Sequence, residues 1–225
     1  MLGANRGFLR INSTVKVTFD GNSLVHGLFD GTPTFPDQTM LLPPLKGSGA
    51  SHVNLGIGGQ STRQMNGLDG GSSADVDAAW DATKTNILVI WEATNSIAFY
   101  GRTVAQGVGD MIAYITARKS LHPWRVVMLT TIPRYQMGND AQLVQWNQIA
   151  RNNYRAWGVD VLVDVRAPGS VFNFDGTVAA NFQATQLLWN TPDTWVHLSD
   201  QGTAVIAGRT AAGLRRIPAR PPVVA

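Results

Sequence analysis

Cysteine is absent from the sequence, which excludes disulfides, thiolate nucleophiles and Cys-based metal sites. Glutamate is nearly absent: Glu92 stands alone beside fourteen aspartates, inside an apolar, strand-like run. No apolar run is long enough to cross a bilayer, so no membrane partner is expected. The N-terminal "MLGANRGFLRINST" lacks the basic stretch and apolar core of a secretory signal. The compartment is therefore left open: a chain that stays where it is made, one exported by another route and a domain of a longer protein all fit. No Lys/Arg cluster interleaves with aromatics. The formal charge of +3 resides in Arg215, Arg216 and Arg220 of "LRRIPARPPVVA", without which acids and bases balance. Nucleic acid is not an expected partner. No histidines and carboxylates stand at metal-ligand spacing, and no G-K-[ST] follows the glycines of 56–59. Neither a metal nor another cofactor is expected.

What is present reads as one α/β domain. Five apolar β-type runs, 15–19, 52–56, 86–91, 125–131 and 159–165, are separated by stretches of helical periodicity. Several of the runs are apolar at nearly every position, as strands covered on both faces are. Residues 103–120 and 140–158 carry apolar residues at helical spacing, the second ending at Gly158 as a C-cap, and a last helix follows Ser199. Residues 30–50, 66–74 and 166–195 read as irregular. The expected layout is an N-terminal extension (1–14), a domain over 15–214 with a parallel sheet and helices on both faces, and a loose tail (215–225).

In open α/β sheets the working residues collect on loops at the carboxyl ends of strands. Four such places carry chemistry. "FDGNSL" presents Ser23 after the first run, either as a nucleophile or as an ordinary helix-capping serine. "NLGIGGQST" follows the second with three glycines. "WEATNSI" follows the third with Asn95, and "TPDTWVHLSDQG" places His197 just before the last helix. One hydroxyl, one Gly-rich amide, one side-chain amide and one imidazole on the same rim are the set that acyl transfer needs. Imidazole can take the serine proton, and the amides can hold the oxyanion of the tetrahedral intermediate.

Those four stretches, in that order and spanning about 15 to 213, resemble the blocks of the SGNH (GDSL-type) hydrolase family: G-D-S-L, a glycine block, G-x-N-D and D-x-x-H. The resemblance implies a three-layer α/β/α sandwich with a central five-stranded parallel sheet, flavodoxin-like in order. It also implies Ser23 as nucleophile and His197 as general base. The oxyanion hole is implied from the Ser23 N–H, the Gly59 N–H (Gly58 in the competing register) and the Asn95 side chain. Three departures stand out. Asn22 replaces the aspartate of the first block, the third reads "ATNS", and Thr194 occupies the place of the aspartate three residues before the histidine. Asp193, one residue earlier, is the candidate to orient His197; the alternative is a backbone carbonyl and a Ser–His dyad. Glu92 is either a hydrogen-bonded structural acid or a support for the Ser23 or Asn95 loop. His26, about one turn beyond Ser23, and His52 and His122 are weaker candidates.

The function implied is a serine esterase for short acyl, chiefly acetyl, esters on a carbohydrate. Trp189 and Trp195 beside the His197 loop are candidate sugar-stacking surfaces, and no long apolar lid helix for a fatty chain is visible. The partner expected is thus a small ester or an acylated glycan. The alternatives are a non-catalytic carbohydrate-binding or structural domain with a degenerate site, and an acyltransferase or thioesterase using the same residues.

Overall fold

Five parallel strands take up the five apolar runs: β1 (Val15–Gly21), β2 (Ser51–Asn54), β3 (Thr85–Trp91), β4 (Arg125–Leu129) and β5 (Val161–Val163). Their order across the sheet is β2-β1-β3-β4-β5. The computed structural model describes residues 7–27, 33–68, 71–135, 139–190 and 196–219. Among these, the helices are α1 (Ser23–His26), α2 (Phe35–Met40), α3 (Thr62–Met65), α4 (Ser73–Ala78), α5 (Val104–Leu121), α6 (Asp140–Asn153), α7 (Ala179–Ala184) and α8 (Asp200–Leu214). A single π-helical turn spans Asn95–Phe99. No helix is long and apolar enough to cross a membrane, among the described residues.

The strands lack polar alternation because both faces of the sheet are covered. Successive β3 side chains divide between two cores. Ile87, Val89 and Trp91 join Phe35 of α2 and Ile206 and Leu214 of α8. Leu88 and Ile90 join Met111 and Ile115 of α5 and Leu143 and Trp146 of α6. Each such side chain, fully removed from water, contributes roughly 1.5–3 kcal/mol.

Register decides where the loops emerge. β1 and β3 pair from Val15↔Thr85 to Gly21↔Trp91, so both end at the same level and Ser23 and Asn95 leave on one rim. Beyond β2, the Leu55 and Ile57 amides continue to the Phe19 and Gly21 carbonyls (2.8 and 3.0 Å), which brings the glycine loop to that rim. Gly56 is required there, since a Cβ would lie 2.5 Å from the His26 amide nitrogen of α1.

Several boundaries differ from the sequence expectation. β4 stops at Leu129, short of 131: the Thr130 N–H still meets the Val163 carbonyl (3.1 Å), but the Thr131 amide is taken by Asn147 Oδ1 (2.8 Å). β5 covers three residues rather than 159–165, the Val165 amide going to Thr130 Oγ1 (3.0 Å). α6 ends at Asn153; Gly158, at φ +85°, closes the turn that follows it rather than the helix. The stretch 30–50 holds α2, started by a capping box between Thr34 and Asp37. The tail is attached as far as residue 219: Leu9 N–H meets the Ile217 carbonyl, Ala219 N–H meets that of Gly7 (both 2.8 Å), and Ile217 is buried.

Candidate active site

The turn after β1 answers whether Ser23 is a cap. Asn22 is the N-cap of α1, its Oδ1 accepting the Leu24 N–H at 2.9 Å. Ser23 is the first helical residue, so its hydroxyl is not spent on capping. Glycine is needed just before: a Cβ on Gly21 would sit 2.3 Å from the Trp91 carbonyl oxygen. The close contact of β1 and β3 thus depends on the same residue that starts the bend.

The Ser23 Oγ lies 2.8 Å from His197 Nε2. His197 comes from the segment before α8, held by an antiparallel bridge between Trp189 and Leu198 and by the Asn190 N–H on the His197 carbonyl (3.0 Å). Ser199 caps α8 through the Gly202 amide (3.3 Å) while its hydroxyl donates to the Leu187 carbonyl (2.5 Å). With the ring proton on Nδ1, Nε2 accepts from the serine hydroxyl.

Ser23 and His197 open onto a cavity of about 330 Å³ also lined by Gly59, Asn95, Phe99, Arg134 and Val196. Gly59, at φ +81°, occupies a left-handed turn. Of the two candidate glycines, it is the one on the cavity wall. Asn95 begins the π-helical turn; its Nδ2 donates to the Gln60 carbonyl (3.1 Å) and its Oδ1 accepts from Arg134 Nη1 (3.1 Å). Two larger hollows, of about 460 and 450 Å³, lie elsewhere, at Arg151–Asp164–Arg209 and at Trp80–Lys84–Arg125, and hold no such pair.

Two buried carboxylates underlie the rim. Glu92, fully buried, accepts Asn22 Nδ2 (2.9 Å) and the Asn95 N–H (3.0 Å) on Oε2, and the Ser96 N–H (2.8 Å) and Oγ (2.9 Å) on Oε1. It joins the Ser23 turn to the Asn95 turn, so both readings of Glu92 meet in one residue. Asp20 accepts the Gly21 N–H (2.9 Å), Ser72 Oγ (2.7 Å), Gln60 Nε2 (3.3 Å) and the Tyr114 hydroxyl. Burial pushes its carboxyl up to about 6, with those four hydrogen bonds pulling the other way. Burial together with the adjacent Asp20 raises the Tyr114 hydroxyl.

Asp193 and Trp195 lie outside the described residues. Trp189 is no sugar platform: it is buried against Phe172 and Phe182 (ring centroids 5.8 and 5.0 Å), its Nε1 bound to Thr185 Oγ1. The exposed aromatic on the cavity wall is Phe99, 66% accessible. His26 Nδ1–H donates to the Gly56 carbonyl at 2.9 Å and not to Ser23. His52 pairs with Asp37 (3.0 Å), and His122 stacks on Trp80. Among the described residues no three His, Asp or Glu side chains cluster as a metal would require. The residues missed from sequence are Arg134, Phe99 and Val196. Arg134 carried a signal, since "TTIPR" leaves the carboxyl end of a strand.

This sheet order and layering are those of the SGNH (GDSL-type) hydrolases. The chain superimposes on a member of the lipolytic G-D-S-L family from Veillonella parvula with a TM-score of 0.65, at 13% identity over 88% of this chain and 97% of that one. An acetylxylan esterase from Geobacillus stearothermophilus gives 0.63 at 16% identity, over 92% and 96%. No protein-family model and no curated protein matches the sequence. At these identities the likeness is one of fold.

Proposed function

We propose that the protein is a serine esterase that removes short acyl groups, acetyl above all, from an acylated carbohydrate. The observation that carries this reading is the 2.8 Å approach of Ser23 Oγ to His197 Nε2 on the wall of a cavity shared with Gly59 and Asn95. His197 Nε2 takes the hydroxyl proton as Ser23 Oγ bonds to the ester carbonyl carbon. The carbonyl π-electrons move to its oxygen, which is received by the Ser23 and Gly59 N–H groups and Asn95 Nδ2. The C–O bond to the alcohol then breaks, and His197 passes its proton to the departing oxygen. Water repeats the sequence on the acyl-enzyme, with His197 as base, and releases the acid. Asp193 is assigned the orientation of the His197 ring.

The short-acyl part of the proposal is supported by the modest cavity, and the carbohydrate part by the acetylxylan esterase among the structural neighbours. Phe99 is assigned the flat surface against which the alcohol part rests. The test is hydrolysis of p-nitrophenyl acetate, butyrate and octanoate, and of acetylated xylooligosaccharides, by wild type, Ser23→Ala and Asp193→Asn. The expected pattern is activity that falls with chain length and vanishes in Ser23→Ala. Asp193→Asn should lose on the order of 10⁴-fold in kcat. Activity that survives Ser23→Ala would end the serine mechanism, and an unaffected Asp193→Asn would leave a Ser–His dyad.

A further inference from the structure

We propose that Arg134 is a positioning residue that fixes and polarises the Asn95 amide as an oxyanion donor, an inference that rests on the esterase reading above. Arg134 follows β4 and is 6% exposed; its guanidinium donates to Asn95 Oδ1 at 3.1 Å and borders the cavity. On the other side, Asn95 Nδ2 donates to the Gln60 carbonyl at 3.1 Å. Guanidinium can only donate and a carbonyl can only accept, so each contact alone dictates the same amide orientation. The opposite orientation would turn a carbonyl oxygen, and not an N–H, towards the developing oxyanion.

With one Nδ2 hydrogen on Gln60, the second is left for the substrate. A cation bonded to Oδ1 draws electron density through the conjugated amide and makes that second N–H a stronger donor. Guanidinium keeps its charge at any working pH, so the effect does not titrate. The Asn95 main chain is held separately, its N–H on Glu92 Oε2 at 3.0 Å. Loss of Arg134 therefore removes the polarising charge and one of the two contacts that orient the side-chain amide, without releasing the turn that carries it. The gain belongs to the transition state, where the oxyanion exists, so kcat should respond and KM should not.

The experiment is a double-mutant cycle on p-nitrophenyl acetate with wild type, Ser23→Ala, Arg134→Met, Asn95→Ala and the Arg134→Met/Asn95→Ala double variant. Arg134→Lys runs in parallel, and thermal midpoints are recorded for all. Arg134→Met should lower kcat about ten- to a hundred-fold with KM within about three-fold, the range set by hydrogen bonds to charged groups. Arg134→Lys, which keeps the charge and loses the planar fork, should fall between. Asn95→Ala alone should cost about 10²–10³ in kcat. In the Asn95→Ala background, removing Arg134 should cost no more than about three-fold further. An Arg134 effect that persists in full without Asn95, or a kcat within about three-fold of wild type in Arg134→Met, overturns the inference. If Arg134→Met does not fold, the same cycle and the same criteria apply to Arg134→Ala, which likewise removes the charge. A wild type without activity, or one matched by Ser23→Ala, overturns the esterase reading and takes this inference with it.

Discussion

Replacing Glu92 by glutamine changes one oxygen into an NH₂ group at the junction of the two site turns. The carboxylate serves four donors, two per oxygen. If the new NH₂ took the place of Oε2, it would face Asn22 Nδ2 and the Asn95 N–H, both donors. Asn22 cannot turn over, because its Oδ1 is committed to the Leu24 amide. The glutamine will instead place its NH₂ against Ser96, whose hydroxyl can rotate to accept. One donor, the Ser96 N–H, is then left buried and facing another donor, which costs about 1–3 kcal/mol. The surviving bonds also lose their charge assistance, while the neutral side chain no longer bears the desolvation of a buried carboxylate. These last two effects oppose one another, so the net loss should be about 1–3 kcal/mol. For a domain of this size that is a drop of roughly 2–12 °C in thermal midpoint. Glu92→Gln should be compared with wild type in thermal and urea unfolding at neutral pH. A loss below about 1 kcal/mol would refute the idea that this carboxylate fastens the two turns together.

Asp20 gives a pH signature. Its folded-state carboxyl is raised to about 6 from 3.8, so the folded protein holds this proton more tightly and stability falls as pH rises from about 4 to 6. The difference amounts to about 3 kcal/mol by pH 7. Asp20→Asn should abolish that decline in urea unfolding at pH 4.5 and 7.5, and an unchanged slope would rule Asp20 out as its source. Ala93, at φ +152° and fully buried, stands where the family's third block has glycine. Relief of roughly 1–3 kcal/mol of strain should outweigh the lost methyl and added chain entropy in Ala93→Gly, for a net gain of up to about 1 kcal/mol. A loss of more than about 1 kcal/mol in urea unfolding would show the alanine to be unstrained there. Trp189→Ala should destabilise by about 3–5 kcal/mol, whereas Phe99→Ala should leave the thermal midpoint in place and raise KM for acetylated oligosaccharides. The reverse pattern would exchange the roles assigned to these two aromatics.

The sheet was legible because each strand is buried on both faces and so is written as an unbroken apolar run; β3, "TNILVIW", is the clearest. The same reasoning overran β4 and β5. Thr131 and Val165 look strand-like, but their amides are taken by the side chains of Asn147, on α6, and Thr130, which only tertiary contacts reveal. Short helices such as α2 lacked enough turns for periodicity to register, although the Thr34–Asp37 capping box was there to be read. At the site, the residues that resemble family blocks, Ser23, Gly59, Asn95 and His197, come together on one cavity. Glu92 could be singled out as an oddity, but its role depends on three residues of two turns converging on it. Arg134 belongs to no block, and its contact with Asn95 spans 39 positions of sequence.

The pairing of residues 7–9 with 217–219 bears on how this domain can be joined to anything else. Pro218 also accepts from Arg125, the first residue of β4, so both ends of the described chain meet at the foot of the sheet. Ser23 sits at the top, a strand length away, about 23 Å for seven residues. The described ends therefore lie on the side of the sheet opposite the cavity. Because residues 7–9 and 217–219 are laced together, a pull on either described end loads that pairing rather than the rim that carries Ser23.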